Sequence, residues 1–472
     1  SGDFRHSFVL NQPYTIQDIE TGLKVKSEWQ ALLAQHYRAH YGESGMGKII
    51  LYGRDTVSLV SDSDMPTRRG LAAAPVEDIL LFDNRSKNHY NAAIQVNLSF
   101  PHISLVNRTV SNSELKDDPR YFGDTGEWIQ GRINAAYLNV NSGPFDFFLG
   151  RMDRNWGALS SPGLILSDNP YSYDQAQFSY TASRIMFSMI VSRLEDLDAV
   201  VVENPDSTFE ARKFMTAHRV DFSFSNKFQV GLTEVAVYGG PDRDFEFGFL
   251  NPMNYFYVVQ RNNNQQVNGI WALDLFYKPK PKLNLFLQFL VDDFIINNSE
   301  EGDDRENFPD RMGITLKLTE ADNFMQGLQT GIEYTRIGNR TYQSRRTYEN
   351  FQYRGKSLGY PISSTERVAV TAKYFNLYPL MLNLTGEFRR IGDVDVTHVF
   401  PLKKEDFPVG IVEKRWSVEL KARYFLNYWS RLTVTLGYER FENFNNVEGD
   451  NRKNLKLILS AHLNLAVSHR FR

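Results

Sequence analysis

The sequence contains no cysteine, which excludes a disulfide scaffold, a thiolate nucleophile and cysteine-ligated zinc together. It also lacks any apolar run near the roughly 20 residues that a membrane-spanning helix requires, so any membrane span must be built from strands. There is no surplus of positive charge. The 53 basic and 56 acidic residues leave a net charge of -3, and no dense basic cluster occurs, so nucleic acid is not an expected partner. Neither a Gly-x-Ser-x-Gly nor a His-Glu-x-x-His run is present, and the nine histidines form no set of nucleophile, base and orienting group. The chain is therefore not read as an enzyme, although a membrane-embedded hydrolase could use an unremarkable Ser-His pair. The opening residues Ser1-Gly2-Asp3 carry no basic and apolar leader, so the chain reads as mature protein with any export signal removed.

Aromatic residues, in contrast, are plentiful: 34 Phe and 24 Tyr contribute to an aromatic share of 14%. Yet mean hydropathy is -0.41 and 23% of residues are charged. A transmembrane β-barrel gives this mixture, because lipid-facing apolar residues alternate with a polar lumen and the average cancels. The 472 residues would fit two or three soluble domains or one large barrel.

The last segment decides between these. Odd positions read Leu455, Leu457, Leu459, Ala461, Leu463, Leu465, Val467, His469 and Phe471, and even positions read Lys456, Ile458, Ser460, His462, Asn464, Ala466, Ser468 and Arg470. A period of two held this long puts one face in an apolar medium and the other in a polar one. It exceeds the usual globular strand of about 5 to 6 residues and fits a tilted membrane strand of about 9 to 11 residues with overhang. Phe471 also resembles the terminal aromatic common in outer-membrane barrels, with Arg472 following it as a small departure. The pattern recurs at Trp416, Val418, Leu420, Ala422, Tyr424 and Leu426, where Glu419, Lys421 and Arg423 lie between and must face the lumen. Similar faces run through Trp271 to Tyr277, Leu283 to Val291, Val368 to Tyr374 and Leu380 to Phe388.

Bacterial barrels join strands by short turns on the periplasmic side and by longer loops outside. Eight brief turn-like links fall near Phe100-Pro101, Asn141 to Pro144, Thr181 to Ser183, Ser225 to Lys227, Pro279 to Lys282, Glu320 to Asn323, Asn376 to Pro379 and Asn427 to Ser430. Longer polar stretches separate them, at about 110–131, 152–174, 194–211, 238–267, 293–310, 337–365, 391–413 and 442–452. Eight hairpins, the terminal strand and one more ascending strand from Lys48 onward predict an all-β fold: an antiparallel transmembrane barrel of about 18 strands. Both chain ends are then periplasmic. The expected division is an N-terminal periplasmic segment, 1–47, with one helix, and a barrel, 48–472. The helix is expected over Ser27 to Tyr37, with Ser27 as N-cap and an apolar stripe at Trp29, Leu32, Leu33 and Tyr37. That stripe is expected to pack on the barrel's periplasmic rim or inside the lumen.

Several short motifs remain. Gly150-Arg151-Met152-Asp153-Arg154-Asn155-Trp156-Gly157 is followed by Gly163-Leu164-Ile165-Leu166-Ser167-Asp168-Asn169-Pro170. Further on come Glu234-Val235-Ala236-Val237-Tyr238-Gly239-Gly240, Phe249-Leu250-Asn251-Pro252 and Asp292-Asp293-Phe294. Their order resembles the Wzi family of capsule-assembly proteins, most strongly from about 145 to 295. The family's usual Trp-Gly-Pro-Gly run stands here as Trp156-Gly157-Ala158-Leu159. The resemblance implies an outer-membrane barrel of about 18 strands with a small periplasmic helical part, which helps to hold capsular polysaccharide at the cell surface as a lectin.

Candidate polysaccharide-binding residues are Arg151, Arg154, Trp156, Asp168, Asn169 and Tyr171, together with Asn251, Asn254 and Tyr255. Aromatic faces stack on pyranose rings, and Arg or Asp can hydrogen-bond hydroxyls or uronate carboxylates. The structural alternative is a loop folded into the lumen, with Gly and Pro setting its turns and Arg paired to lumen acids. For the segment near Asn251 the alternative is aromatics packing on one another. Asp292-Asp293 and Glu300-Glu301-Gly302-Asp303-Asp304 lack the spacing of a calcium loop, so no metal or cofactor is expected. Expected partners are surface polysaccharide, the lipid bilayer and lipopolysaccharide. The rival function is a porin that passes small polar solutes, and a loop-filled lumen would discriminate against it.

Overall fold

The computed structural model describes residues 12, 27–40, 46–60, 88–158, 160–200, 209–263, 266–293, 311–397 and 405–470. Its strands are β1 (Met46–Val60), β2 (Asn88–Ser99), β3 (Ile103–Asn112), β4 (Gly131–Ser142), β5 (Phe145–Met152), β6 (Tyr173–Ala182), β7 (Ile185–Val200), β8 (Phe209–Ser225), β9 (Phe228–Gly240) and β10 (Asn268–Lys280). They continue as β11 (Leu283–Asp293), β12 (Arg311–Ala321), β13 (Leu328–Ile337), the two-residue pair β14 (Gln352–Tyr353) and β15 (Lys356–Ser357), then β16 (Thr365–Leu377), β17 (Leu380–Ile391), β18 (Glu413–Phe425), β19 (Ser430–Glu442) and β20 (Arg452–Arg470). Helices are α1 (Glu28–His40), α2 (Phe247–Leu250) and α3 (Phe256–Asn263).

Apart from β14 and β15, which pair only with each other, each strand lies antiparallel to its sequence neighbours in one 18-stranded sheet. Pairing of β1 with β20, from Met46 opposite Arg470 to Val60 opposite Lys456, closes it. Closure leaves no unpaired edge, the condition for a sheet to sit in lipid. The eight expected hairpins are all present. One differs in length: β12 ends at Ala321 and β13 resumes only at Leu328, because Asp322 and Gly327 take positive φ in a longer turn. The stretch expected as a loop over 194–211 is mostly strand, since β7 continues to Val200 and β8 starts at Phe209.

Alternation sorts the side chains as the sequence implied. Leu455, Leu459, Leu463, Leu465 and Val467 are exposed on the outer face of β20, whereas Asn454, Ile458 and His462 are buried inward. Inward charges pair in networks around the wall. Glu333 binds Lys317 (3.2 Å) and Arg367 (2.5 Å), Arg367 binds Glu387 (2.6 Å), and Glu387 binds Arg389 (2.9 Å). A few strands away Arg219 binds Asp221 (2.7 Å) and Asp274. Buried charges persist only when so matched.

Helix α1 sits against the short-turn end. Ser27 Oγ accepts the Gln30 amide (3.3 Å), the N-cap bond expected of it. The Trp29 indole donates to the Phe375 carbonyl and meets Tyr378 and Phe425 edge-on at 5.2 and 5.3 Å. His36 Nδ1 lies 2.9 Å from the Tyr428 carbonyl. Leu32 and Tyr37 are buried, but Leu33, expected in the same stripe, is 55% exposed, because the rim engages the helix side that carries Trp29 and His36.

Leu459→Arg, on the outer row, should lower unfolding stability in vesicles by about 2–4 kcal/mol if it lies near the midplane. Ser460→Arg, one residue on and inward, should cost much less, as read by urea titration of the heat-modifiable folded band.

Candidate functional site

The loop between β5 and β6 does not extend away from the barrel. It folds inward and crosses the lumen. Trp156, Leu164, Ile165 and Leu166 are all 0% exposed, packed against inward-facing Ile190, Met215, Val235, Ile270, Leu290 and Ile337. The loop's polar contacts reach the far wall. Gln288 on β11 donates to the Trp156 carbonyl (2.7 Å) and accepts from the Leu164 amide (2.6 Å). Ser161 accepts from Lys317 on β12 (2.6 Å) and donates to Glu333 on β13. Asn155 clamps the loop on itself, donating to the Ser161 carbonyl (2.8 Å) and accepting from the Gly163 amide (2.9 Å). Here the two arms nearly touch: a Cβ on Gly157 would stand 2.7 Å from the Gly163 Cα, and one on Gly163 would stand 2.1 Å from the Leu166 oxygen. Only glycine permits that approach. The Gln12 amide side chain also donates to the Gly157 carbonyl (3.0 Å), so this residue reaches the same loop.

A second loop, 338–364, lies over the first. Tyr342 donates its hydroxyl to the Leu164 carbonyl (2.7 Å), and its amide donates to Asp292 (2.6 Å). The Ser167 amide bonds the Leu358 carbonyl (2.8 Å). The segment 392–397 and the loop 113–130 complete the cover, through Gln343 to the Asp395 carbonyl (2.7 Å) and Lys356 to Asp118 (2.7 Å). Tyr171 donates its hydroxyl to the same Asp118 carboxylate. Burial alone would raise the Asp118 carboxyl, but Lys356, Tyr171 and the Arg120 amide outweigh it and hold the group below its ordinary value. At the surface of this cover stand Phe122, 43% exposed, with the Arg354 guanidinium 3.7 Å from its ring centre, and Arg120 paired to Asp395 (3.1 Å).

The sequence matches the family described as capsule assembly protein Wzi over residues 73–456. The chain belongs to the Wzi family. Among solved structures it is similar to an Escherichia coli protein described as Wzi, an outer membrane protein involved in group 1 capsule assembly and a carbohydrate-binding β-barrel. The two are 13% identical, with 97% of this chain and 94% of that one covered and a TM-score of 0.63. Pseudomonas aeruginosa OccD3 (OpdP) and Acinetobacter baumannii OccAB4 share the fold at 10% identity and a TM-score of 0.50, over 90% of this chain and 93% and 99% of theirs. No match is found among curated proteins.

Within this Wzi-family barrel the expected binding residues divide into three groups. Arg154, Trp156, Asp168, Asn169 and Tyr171 belong to the inward-folded loop, and most are committed to holding it. Arg154 donates to Gln175 (2.9 Å) and stacks on Phe148 at 4.5 Å, and burial lowers its guanidinium to about 10. Asn169 donates to the Ser357 carbonyl (2.7 Å). Tyr171 carries Lys356 Nζ 3.9 Å and Arg132 4.7 Å from its ring centre. Asp168 is half-buried near Asp153, whose carboxyl is pushed up to about 7 by burial, with Arg132 pulling it down and Asp168 pushing it up. Arg151 instead stands on β5, bound to Asp174 at 2.6 Å. Asn251, Asn254 and Tyr255 sit in the loop between β9 and β10, away from the others; Asn254 donates to the Gly248 carbonyl (2.9 Å). Asp292 is buried beneath Tyr342 and pairs with Arg311 (3.4 Å), and 300–304 lie outside the described residues. Phe122, Arg120 and Arg354 were not singled out from the sequence. The signal available was aromatic and basic residues side by side in two long loops, Arg120-Tyr121-Phe122 and Tyr353-Arg354-Gly355-Lys356.

A depressed carboxyl contributes stability above its ordinary pKa and loses it as pH falls through the lowered folded value. The Asp118 clasp should therefore hold loop 113–130 at neutral pH and release it only under acid conditions below the ordinary carboxylate range. Asp118→Asn should release it at neutral pH. Tryptic cleavage after Lys116 and Arg120 measures this: slow in the parent protein and markedly faster in the variant.

Proposed function

We propose that this protein is an integral barrel of a bacterial outer membrane that binds surface polysaccharide through its long-loop face, for attachment or assembly of a capsule. The short-turn end, carrying α1 and the end of β20, faces the periplasm in this reading, and both chain ends lie there. The residues before β1, expected as 1–47, act as a periplasmic segment, with Gln12 reaching into the lumen, and the barrel runs from Met46 onward. One observation carries the proposal: the lumen of this Wzi-family chain is crossed by its own loop, so the surface left for work is the cover of loops. That arrangement disfavours the rival reading as a porin, which requires a polar passage where Trp156 and Leu164 to Leu166 are packed.

On the cover, Phe122 offers a face for a pyranose ring, and Arg354 and Arg120 offer forked donors for hydroxyls or uronate carboxylates. Trp156 and Arg154 support that surface from below instead of touching sugar. The protein acts by binding, with no covalent step required of it. Lipopolysaccharide and phospholipid surround the wall.

Purified protein should bind isolated capsular polysaccharide in a cosedimentation assay, and the double variant Phe122→Ala/Arg354→Ala should weaken that binding about tenfold, or about 1.4 kcal/mol, without altering the folded band. Cells lacking the gene should shed polysaccharide into the medium. Failure of the parent protein to bind any capsular glycan, with retention of polysaccharide by deleted cells, would defeat the proposal.

A further inference from the structure

The loop between β9 and β10 is placed unlike the others. Gly231 faces the lumen, since a Cβ there would meet the buried Arg219 guanidinium at 2.1 Å, and Val235 and Val237 belong to the core inside the barrel. By alternation, Leu232, Glu234, Ala236 and Tyr238 stand on the outer row of β9. Helices α2 and α3 lie against that row. Phe249 and Phe256 are buried with Phe214, Ala236 and Tyr238, Phe249 at 4.9 Å from Tyr238 and Phe256 stacked on His218 at 4.3 Å. The loop thus turns down over the outside of the wall as a flap.

Glu234 pins it. Its carboxylate accepts the amides of Phe256 (2.9 Å) and Tyr257 (3.0 Å) and the Trp271 indole (3.1 Å), with His218 Nε2 at 2.9 Å. The height of this pin is informative. Phe224, Phe228 and Tyr277 form an aromatic row at the short-turn end, with ring centres 5.6 and 6.3 Å apart. Glu234 lies six residues along β9 from Phe228. At about 3.4 Å per residue and a tilt of about 40°, that is about 16 Å up a band about 25 Å tall. A bare carboxylate on the outer row at that height would be costly, and four polar groups surround it, two amides from the flap and His218 and Trp271 from the neighbouring strands. The flap's other side exposes large apolar groups, with Asn251 and Arg261 also exposed. Phe247 is 88%, Met253 83% and Tyr255 74% exposed, and Leu232, two residues below Glu234 on the outer row, is 50% exposed.

We propose that this flap is immersed in the bilayer leaflet at the long-loop end, with Phe247, Met253 and Tyr255 in contact with lipid acyl chains. The inference rests on the outer-membrane reading. It removes Asn251, Asn254 and Tyr255 from the glycan surface and makes the loop a collar that extends the lipid-facing wall while sealing Glu234 from hydrocarbon.

The absence of native cysteine makes the test clean. Single variants Phe247→Cys, Met253→Cys, Leu459→Cys on the bare wall and Thr125→Cys in the loop cover are nitroxide-labelled in vesicles of phosphatidylethanolamine and phosphatidylglycerol. Collision with oxygen is then compared with collision with a nickel chelate. The expected result is a shift at 247 and 253 to the oxygen-dominated ratio of 459, with 125 dominated by nickel. Nickel-dominated ratios at 247 and 253, with 459 oxygen-dominated, overturn the flap proposal alone. Low collision with both reagents at 247 and 253 means that protein covers the flap and also overturns it. A nickel-dominated 459 instead overturns the membrane reading, and the proposal with it.

Discussion

An inward-folded loop carries backbone amides and carbonyls into a space from which water is largely excluded, and each must find a partner there or cost free energy comparable to a lost hydrogen bond. In this barrel Gln288 answers two of those demands at one point, bonding the Trp156 carbonyl on one arm of the loop and the Leu164 amide on the other. Asn155 and Tyr342 take the Ser161 and Leu164 carbonyls. With the backbone satisfied, three consecutive apolar side chains, Leu164 to Leu166, can be buried in what would otherwise be a polar lumen. The layered cover of loops 338–364, 392–397 and 113–130 rests on that floor.

The same constraint explains where alternation was easy to read. In β18 and β20 the inner row faces charged partners such as Glu439, Arg415 and Lys456, and polar and apolar residues alternate cleanly. In β7 to β11 part of the inner row faces the loop, so Ile190, Val235, Val237, Ile270 and Leu290 are apolar inward, beside the inward charges Arg219, Asp221 and Asp274. The outer rows of β10 and β11, Trp271 to Tyr277 and Leu283 to Val291, stayed readable, whereas β9 is apolar on both faces from Val235 to Tyr238, and there the short turns still marked the hairpins. Strand number, closure and the helix cap at Ser27 were therefore legible.

The candidate site was less so. The motif from Gly150 to Pro170 was legible as a special loop, and Gly157 and Gly163 as turn formers, but the direction in which it folds depends on partners more than a hundred residues away, such as Gln288 and Glu333. Trp156 therefore attracted a ligand-binding reading although its indole is a buried packing element. Tyr255 attracted one through local aromatic density, yet its loop is pinned to the outer wall by Glu234. Phe122 and Arg354 come together only through tertiary packing, since neither loop alone shows that the two will stack.

A loop of this chain crosses the lumen, and in the proposed function the work falls to the surface of the cover. Ion conductance of the purified protein in planar bilayers tests this most directly. Insertion should give no sustained open-channel current in the parent protein. A large, steady conductance on insertion would contradict the account and return the barrel to the class of channels.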